Sequence, residues 1–286
     1  MKIYQESKLE NGLSVITSED RNSDIVSISL EFSAGSRYET PRERGCAHLL
    51  EHMLLKGTTT RPSVEDVGSV ADRAGALLNA KTNTETVEVY FQVARGHAGE
   101  MFELLADMAL HPLFDSAVLE NEKKVVREEM RRFLDNRESR LWGESRGIVF
   151  GNHPLSQNPL GDEAVVNSIT TESLRSYYQS LFSAPNAALL AAGNISHAEV
   201  LELSERHKLS SWTPHNLPRK KEYWMPQYQP GIFFTETPGA QTQLYFNFLC
   251  PKLSLRDSLI LKLITNALAY GKNPLLTREL RHRTGL

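Results

Sequence analysis

Residues 26–32 alternate without a break. Val26, Ile28, Leu30 and Phe32 are apolar, and Ser27, Ser29 and Glu31 are polar. A β-strand points successive side chains to opposite faces, so it alone puts all four apolar groups on one side. The segments 12–17 (GLSVIT) and 24–32 (DIVSISLEF) read as a hairpin of two short strands. "LLNA" (77–80) and "TVEVYFQV" (86–93) read as a second pair, and "NAALLAAG" (186–193) as a further strand. Helical patterns run over about 46–56, stopped by Gly57, and over about 64–74, with Ser63 as N-cap and Asp66 three residues on. Others run over about 97–110, 116–135, 138–150 and 171–182, and one starts at Ser196, while "HPLSQNPLG" (153–161) is a loop.

Residues 212–231 carry four prolines and a basic cluster and read as a linker. The pattern then restarts. "QLYFNFLC" (243–250) alternates like a strand, and a helical stretch runs over 254–271, ending at Gly271. This resembles a second copy of the opening strand–loop–helix unit. The chain thus divides into a domain at 1–211, a linker at 212–231 and the beginning of a second domain at 232–286.

The composition excludes several classes. Net charge is −3 with no long run of one sign, which gives no support to nucleic acid or an anionic membrane as partner. Two cysteines, Cys46 and Cys250, are too few for a thiolate zinc site, and no disulfide framework is expected. No apolar run is long enough to span a membrane, and the first twenty residues show no secretory or mitochondrial address, so a cytoplasmic location is the expectation.

Against this ordinary background, "CAHLLEHMLLKGT" (46–58) places His48, Glu51 and His52 in one apolar helix. Residues three and four apart share a helix face, so the two imidazoles are neighbours with the glutamate beside them. Two histidines at that spacing can bind one zinc ion, and the carboxylate can reach a water on it. A polar stripe facing solvent is the plain alternative. The order is H-x-x-E-H, the inverse of H-E-x-x-H, and a catalytic site needs a third protein ligand.

Residues 116–135 supply candidates. At 3.6 residues per turn, one face carries Val118, Leu119, Val125, Val126, Met130 and Phe133, with Glu122 and Glu129 in its middle. Glu128 falls on the other side, where Lys124 and Arg132 are spaced for surface pairing. Carboxylates on an apolar face must be paired or bound to a metal. Glu122 and Glu129 sit two turns apart on one line, so one can bind zinc while the other orients a ligand or the water.

These residues together resemble the pitrilysin/insulysin family of zinc peptidases, in the branch of the mitochondrial processing peptidase β subunit and its bacterial relatives. In that family 76 residues separate the inverted motif from a ligating glutamate, with a second glutamate seven residues before it. Here 76 residues stand between His52 and Glu129, and Glu122 lies seven residues earlier. "GSRYETPRERGCAHLLEHMLLKGT", "LLNAKTNTETVEVYFQV", "HPLSQNPLG", "YYQSLFSAPNAALLAAGNI" and "NPLLTRELRHRTGL" each resemble family segments in the same order, so the likeness covers nearly the whole chain.

The resemblance implies an α+β fold: a two-layer α/β roll of mostly antiparallel sheet packed by helices, followed by the start of a second similar domain. It implies one Zn2+ per chain held by His48, His52 and Glu129, with Glu51 as general base on the attacking water and Glu122 supporting the ligands. Substrate would lie along the strand at Asn79 and Ala80. In the family an Arg and a Tyr from the degenerate second half also hold it. Arg281 matches the Arg, and the Tyr would fall beyond Leu286, so a fragment is expected. Aligning Phe248 with Phe32 puts Ile264, Ala267 and Leu268 where His48, Glu51 and His52 stand, and a shift of two gives Lys262, Thr265 and Asn266. The second copy has no metal site in either register. The implied activity is zinc-dependent endopeptidase action on short or unfolded polypeptides, which allows a homodimer or a heterodimer with a related subunit. The alternative is a non-catalytic or inactive truncated partner in a processing-peptidase-like complex.

Overall fold

Six strands form one sheet: β1 (Gln5–Lys8), β2 (Ser14–Glu19), β3 (Ile25–Phe32), β4 (Leu77–Thr82), β5 (Val87–Ala94) and β6 (Ala187–Gly193). The structure, a computed structural model, describes residues 4–212, 230–235, 244–250 and 253–285. The strand order is β1-β2-β6-β3-β5-β4, and every pairing is antiparallel except β2 with β6. This is the expected mostly antiparallel sheet of an α+β chain. The alternation in β3 does what its period requires: Val26, Ile28, Leu30 and Phe32 are fully buried. Val87, Val89, Phe91 and Val93 of β5 and Leu189 and Ala191 of β6 join the same core. Helices α1 (Cys46–Leu54), α2 (Val64–Ala74), α3 (Ala98–Leu110), α4 (Ser116–Asp135), α5 (Arg137–Phe150), α6 (Glu163–Ser168), α7 (Thr171–Leu181) and α8 (His197–Arg206) complete the region. From α1, Leu49, Leu50, Met53 and Leu54 enter that core, as do Phe102 and Leu105 of α3 and Tyr177 and Leu181 of α7.

The expected hairpin of the second and third strands does not form. β6 lies between them, parallel to β2 and antiparallel to β3. The buried face of β3 needs an apolar strand on each side, and β6 supplies small apolar residues. Gly193 makes the approach possible: its φ is +105°, and a Cβ there would stand 2.1 Å from the Ile25 carbonyl oxygen. The real hairpin is β1–β2, turned at Asn11-Gly12, where the Leu9 N–H donates to the Leu13 carbonyl. β1 has no apolar side chain to show a period. The short helix α6 was not anticipated either.

The chain divides into two compact units, Met1–Tyr245 and Phe246–Leu286. Most of the expected linker, 213–229, lies outside the described residues. The strand expected over 243–250 is absent from its described part, 244–250. Alternation creates a strand only where a neighbour completes its ladder, and among the described residues nothing pairs with it. Helix α9 (Leu255–Ala269) forms as expected, with Ser254 as N-cap, but buries no side chain. No helix among the described residues is long and apolar enough to cross a membrane.

Helix α1 starts without a side-chain cap of its own. Its N-cap is Gly45, at φ +100°. Glu39, buried in the preceding loop, takes over that role: its carboxylate accepts from the N–H groups of Gly45 (3.1 Å) and Ala47 (2.8 Å). A negative group is favoured there because the first N–H groups of a helix lack partners and carry partial positive charge. Gly161 closes against the same point, and a Cβ on it would lie 2.4 Å from the Gly45 Cα. Replacing Glu39 by alanine leaves those two N–H groups buried and unpaired. We expect Glu39→Ala to lose about 2 kcal/mol of stability in a urea titration, and Glu39→Gln to lose less because one acceptor oxygen remains.

Candidate metal centre

Helix α1 presents His48 and His52 one turn apart, with ring centroids 4.7 Å apart and planes at 80°. Helix α4 runs beside it and brings in both acids singled out from the sequence. Glu129 Oε2 lies 3.5 Å from His48 Nε2 and 3.7 Å from His52 Nε2. Glu122 Oε2 lies 2.9 Å from His52 Nδ1. The α4 face is close to the one the period gives: Leu119, Glu122, Val126 and Met130 are buried, while Val125 is 43% exposed. Glu128 points elsewhere and pairs with Arg131, not with Lys124 or Arg132.

The three facing donors fit a tetrahedral ion. Donors about 2.1 Å from such an ion stand about 3.4 Å from one another. Donor atoms of His48, His52 and Glu129 lie within 4.8 Å of one another, with the carboxylate at the two near-ideal separations above. The acceptor on the far side of His52 fixes the proton on Nδ1 and leaves the Nε2 lone pair facing Glu129. His48 is pushed down to about 4 by burial and by neighbouring His52, so its imidazole is neutral and able to ligate near neutral pH. The exposures of the two acids differ in the same sense. Glu129 is 33% exposed at the open side, and Glu122 is 9% exposed behind His52.

Burial opposes ionisation of Glu122, but hydrogen bonds from His52 and Lys56 outweigh it and hold the carboxyl below the ordinary glutamate range. Lys56 Nζ stands 3.0 Å from Glu122 Oε1. Glu51 goes the other way. Burial raises its pKa, the Glu129 carboxylate adds to that, and hydrogen bonds from Thr82 together with His52 oppose it. A raised carboxyl beside a metal site suits a group that takes up a proton.

Thr82 belongs to β4, an edge strand of the sheet. At the β4–β5 turn the Asn83 N–H bonds the Thr86 carbonyl. In the alternation of an antiparallel ladder, Lys81 and Asn79 then bond to β5, while Thr82, Ala80 and Leu78 turn their backbone groups to the open edge. The outward Thr82 N–H meets Glu51. Ala80 is next along the same edge, and its N–H is held by the Asn79 side-chain oxygen at 2.9 Å. Sequence reasoning missed Lys56 and Thr82. Lys56 was visible in principle, since it stands four residues after His52. Thr82 becomes relevant only once β4 and α1 are packed together. Arg281 lies in the second unit, exposed on a π-helical turn (Arg278–His282).

Residues 14–163 match the family model of the insulinase family (peptidase family M16), and residues 168–286 match that of the peptidase M16 inactive domain. The second match begins inside the first compact unit and includes α7, β6 and α8. The chain is 29% identical over 281 residues to an uncharacterized zinc protease of Rickettsia felis, covering 98% of this chain and 67% of that one. It is 33% identical over 207 residues to the mitochondrial-processing peptidase subunit beta of Bos taurus, covering 72% of this chain and 42% of that one. The fold is similar to that of the periplasmic protease PqqL from Escherichia coli, with a TM-score of 0.72 at 23% identity over 79% of this chain and 26% of that one. The model that spans His48 to Glu129 covers more than half of the chain, which therefore belongs to the insulinase family, peptidase family M16.

Proposed function

We propose that this chain is a zinc-dependent endopeptidase that hydrolyses peptide bonds in short or unfolded polypeptides. The observation that carries the reading is the convergence of His48 Nε2, His52 Nε2 and one Glu129 oxygen at distances suited to one tetrahedral zinc ion, with Glu51 on the same helix turn. Bound there, zinc would polarise the scissile carbonyl and acidify water. His48, His52 and Glu129 hold the ion, and Glu122 fixes the orientation of His52 through its Nδ1 proton. Glu51 accepts a proton from the attacking water and returns it to the leaving amine nitrogen. The raised affinity of Glu51 for protons favours the first transfer.

The edge of β4 is assigned to substrate. An extended peptide paired to the outward backbone groups of Ala80 becomes a seventh strand and passes close to Glu51, two residues on along the same edge at Thr82. Backbone pairing tolerates many side chains. Asn79 caps the Ala80 N–H in the free protein and yields it to the peptide carbonyl. Arg281 is assigned to the substrate as well, on its match in sequence to the family's substrate-holding arginine. A relative named as a subunit supports a second, related chain as partner, in a homodimer or a heterodimer.

Two experiments test this reading. Metal analysis should find one zinc per wild-type chain and none in His48→Ala or Glu129→Ala. Glu51→Gln should keep its zinc and lose about a thousandfold in peptide cleavage. Zinc in the wild type with no cleavage of any unfolded peptide would support the non-catalytic partner instead. The second test addresses the edge strand. The Ala80 N–H does not serve the sheet, so Ala80→Pro should fold, as proline is tolerated on an open edge. It should retain zinc and raise KM by up to about tenfold, the worth of one backbone hydrogen bond. Arg281→Ala should raise KM with zinc content unchanged.

A further inference from the structure

The two imidazoles of the site are held very differently. The outward nitrogen of His48, Nδ1, is buried and has no hydrogen-bond partner among the described residues. The corresponding nitrogen of His52 bonds Glu122 at 2.9 Å. Orientation of the histidine pair by hydrogen bonding therefore runs through His52, and so through Glu122.

A carboxylate held at one oxygen can still turn about its last carbon–carbon bond. Glu122 is held at both. His52 occupies Oε2, and Lys56 Nζ stands 3.0 Å from Oε1. The end of helix α1 explains how Lys56 reaches that oxygen. A regular helix would carry Lys56 on the His48/His52 face, four residues after His52. The last bonds instead tighten to three-residue steps, Leu55 N–H to the His52 carbonyl and Lys56 N–H to the Met53 carbonyl, each at 3.2 Å. The backbone then leaves the helix at Gly57, whose φ is +145°. From this turn the lysine side chain reaches the far oxygen of Glu122 while remaining 30% exposed itself. That exposure and its position past the helix end give Lys56 little part in the core.

We propose that Lys56 is a positioning residue of the zinc site, acting through Glu122 to lock the plane of the His52 ring. The inference rests on the zinc reading above and adds to it a third tier: lysine, carboxylate, imidazole.

The test is zinc affinity, measured by competition with a chelator of known strength, with the melting temperature of the zinc-free protein as a check on folding. Lys56→Met should bind zinc about tenfold more weakly than wild type, the lower end of what loss of an outer support costs, with a zinc-free protein that melts somewhat lower but is still fully folded at the temperature of the zinc measurement. Lys56→Arg, whose guanidinium can still reach Oε1, should restore most of the affinity. Lys56→Met combined with Glu122→Ala should bind zinc no more weakly than Glu122→Ala alone, because the lysine acts only through that carboxylate. An affinity of Lys56→Met within about twofold of wild type overturns the proposal, and so does an additive loss in the double variant. Should Lys56→Met fail to fold, Lys56→Gln in the same comparison decides the matter. A wild-type chain that binds no zinc overturns the site itself, and this inference with it.

Discussion

Helices α1 and α4 meet through polar groups set in apolar surroundings, and the geometry of the candidate centre depends on that meeting. Glu122 sits on the face of α4 that also buries Leu119, Val126 and Met130. A carboxylate there must find partners or be neutralised. Its partners are His52, 2.9 Å away, and Lys56, 3.0 Å away. The two helices are thereby fixed in rotation as well as in distance. A helix rotated by one residue turns about 100°, which would put Lys123 or Asn121 where Glu122 stands. Glu129, two turns further along the same line, is then delivered to the two Nε2 atoms without any separate device.

The two acids of α4 meet the histidine pair in different ways. Glu129 approaches two imidazoles at 3.5 and 3.7 Å, longer than good hydrogen bonds to a ring N–H. His48 is held neutral by burial and by neighbouring His52. Glu122 has two close partners of its own, His52 and Lys56. The difference between the two acids thus lies in their partners, since both are glutamates on one face of one helix.

Much of this was legible in the sequence because helical and strand periods are local properties. The 3.6-residue period placed Glu122 and Glu129 on the side of α4 that faces the two histidines and Glu128 outside it, as found, with Glu122 buried and Glu129 partly exposed. The alternation of β3 gave its four buried apolar residues, though Ser29 on the other face is buried as well. The failures share one cause, dependence on partners remote in the chain. Whether β2 pairs with β3 or with β6 is settled by which strand fills the buried slot beside β3, and β6 comes some 155 residues after β3. Val125 has an apolar side chain, yet among the described residues its flank of α4 is left 43% exposed. Residues 244–250 alternate like β3, but alternation alone makes no ladder. The role of Lys56 depended on where a helix ends, and boundaries are set by the last turn's hydrogen bonds, not by composition.

The relation between the sheet edge and helix α1 is equally dependent on a short piece of chain, the β4–β5 turn. A slip of one residue in that hairpin would exchange inward and outward backbone groups along all of β4. Thr82 would then turn its N–H into the sheet, and Glu51 would lose that partner. Asn83 prevents this: its side-chain oxygen accepts from the N–H groups of Glu85 (2.7 Å) and Thr86 (2.8 Å), and its amide donates to the Thr86 hydroxyl at 2.8 Å. The loop that leads into α1 reads the same turn from outside. Gly35, Ser36 and Arg37 donate backbone N–H groups to the carbonyls of Glu85, Asn83 and Thr84. Gly35 must lack a side chain for this, since a Cβ would stand 2.4 Å from the Asn83 carbonyl oxygen. Glu39, a few residues on, then caps α1. One run of backbone contacts, from the hairpin turn through Gly35 to Glu39, therefore sets the start of the helix that carries Glu51 against the strand whose edge Glu51 adjoins. The glutamate proposed as general base and the edge proposed to hold the peptide share a common reference, and their register is fixed before any substrate arrives.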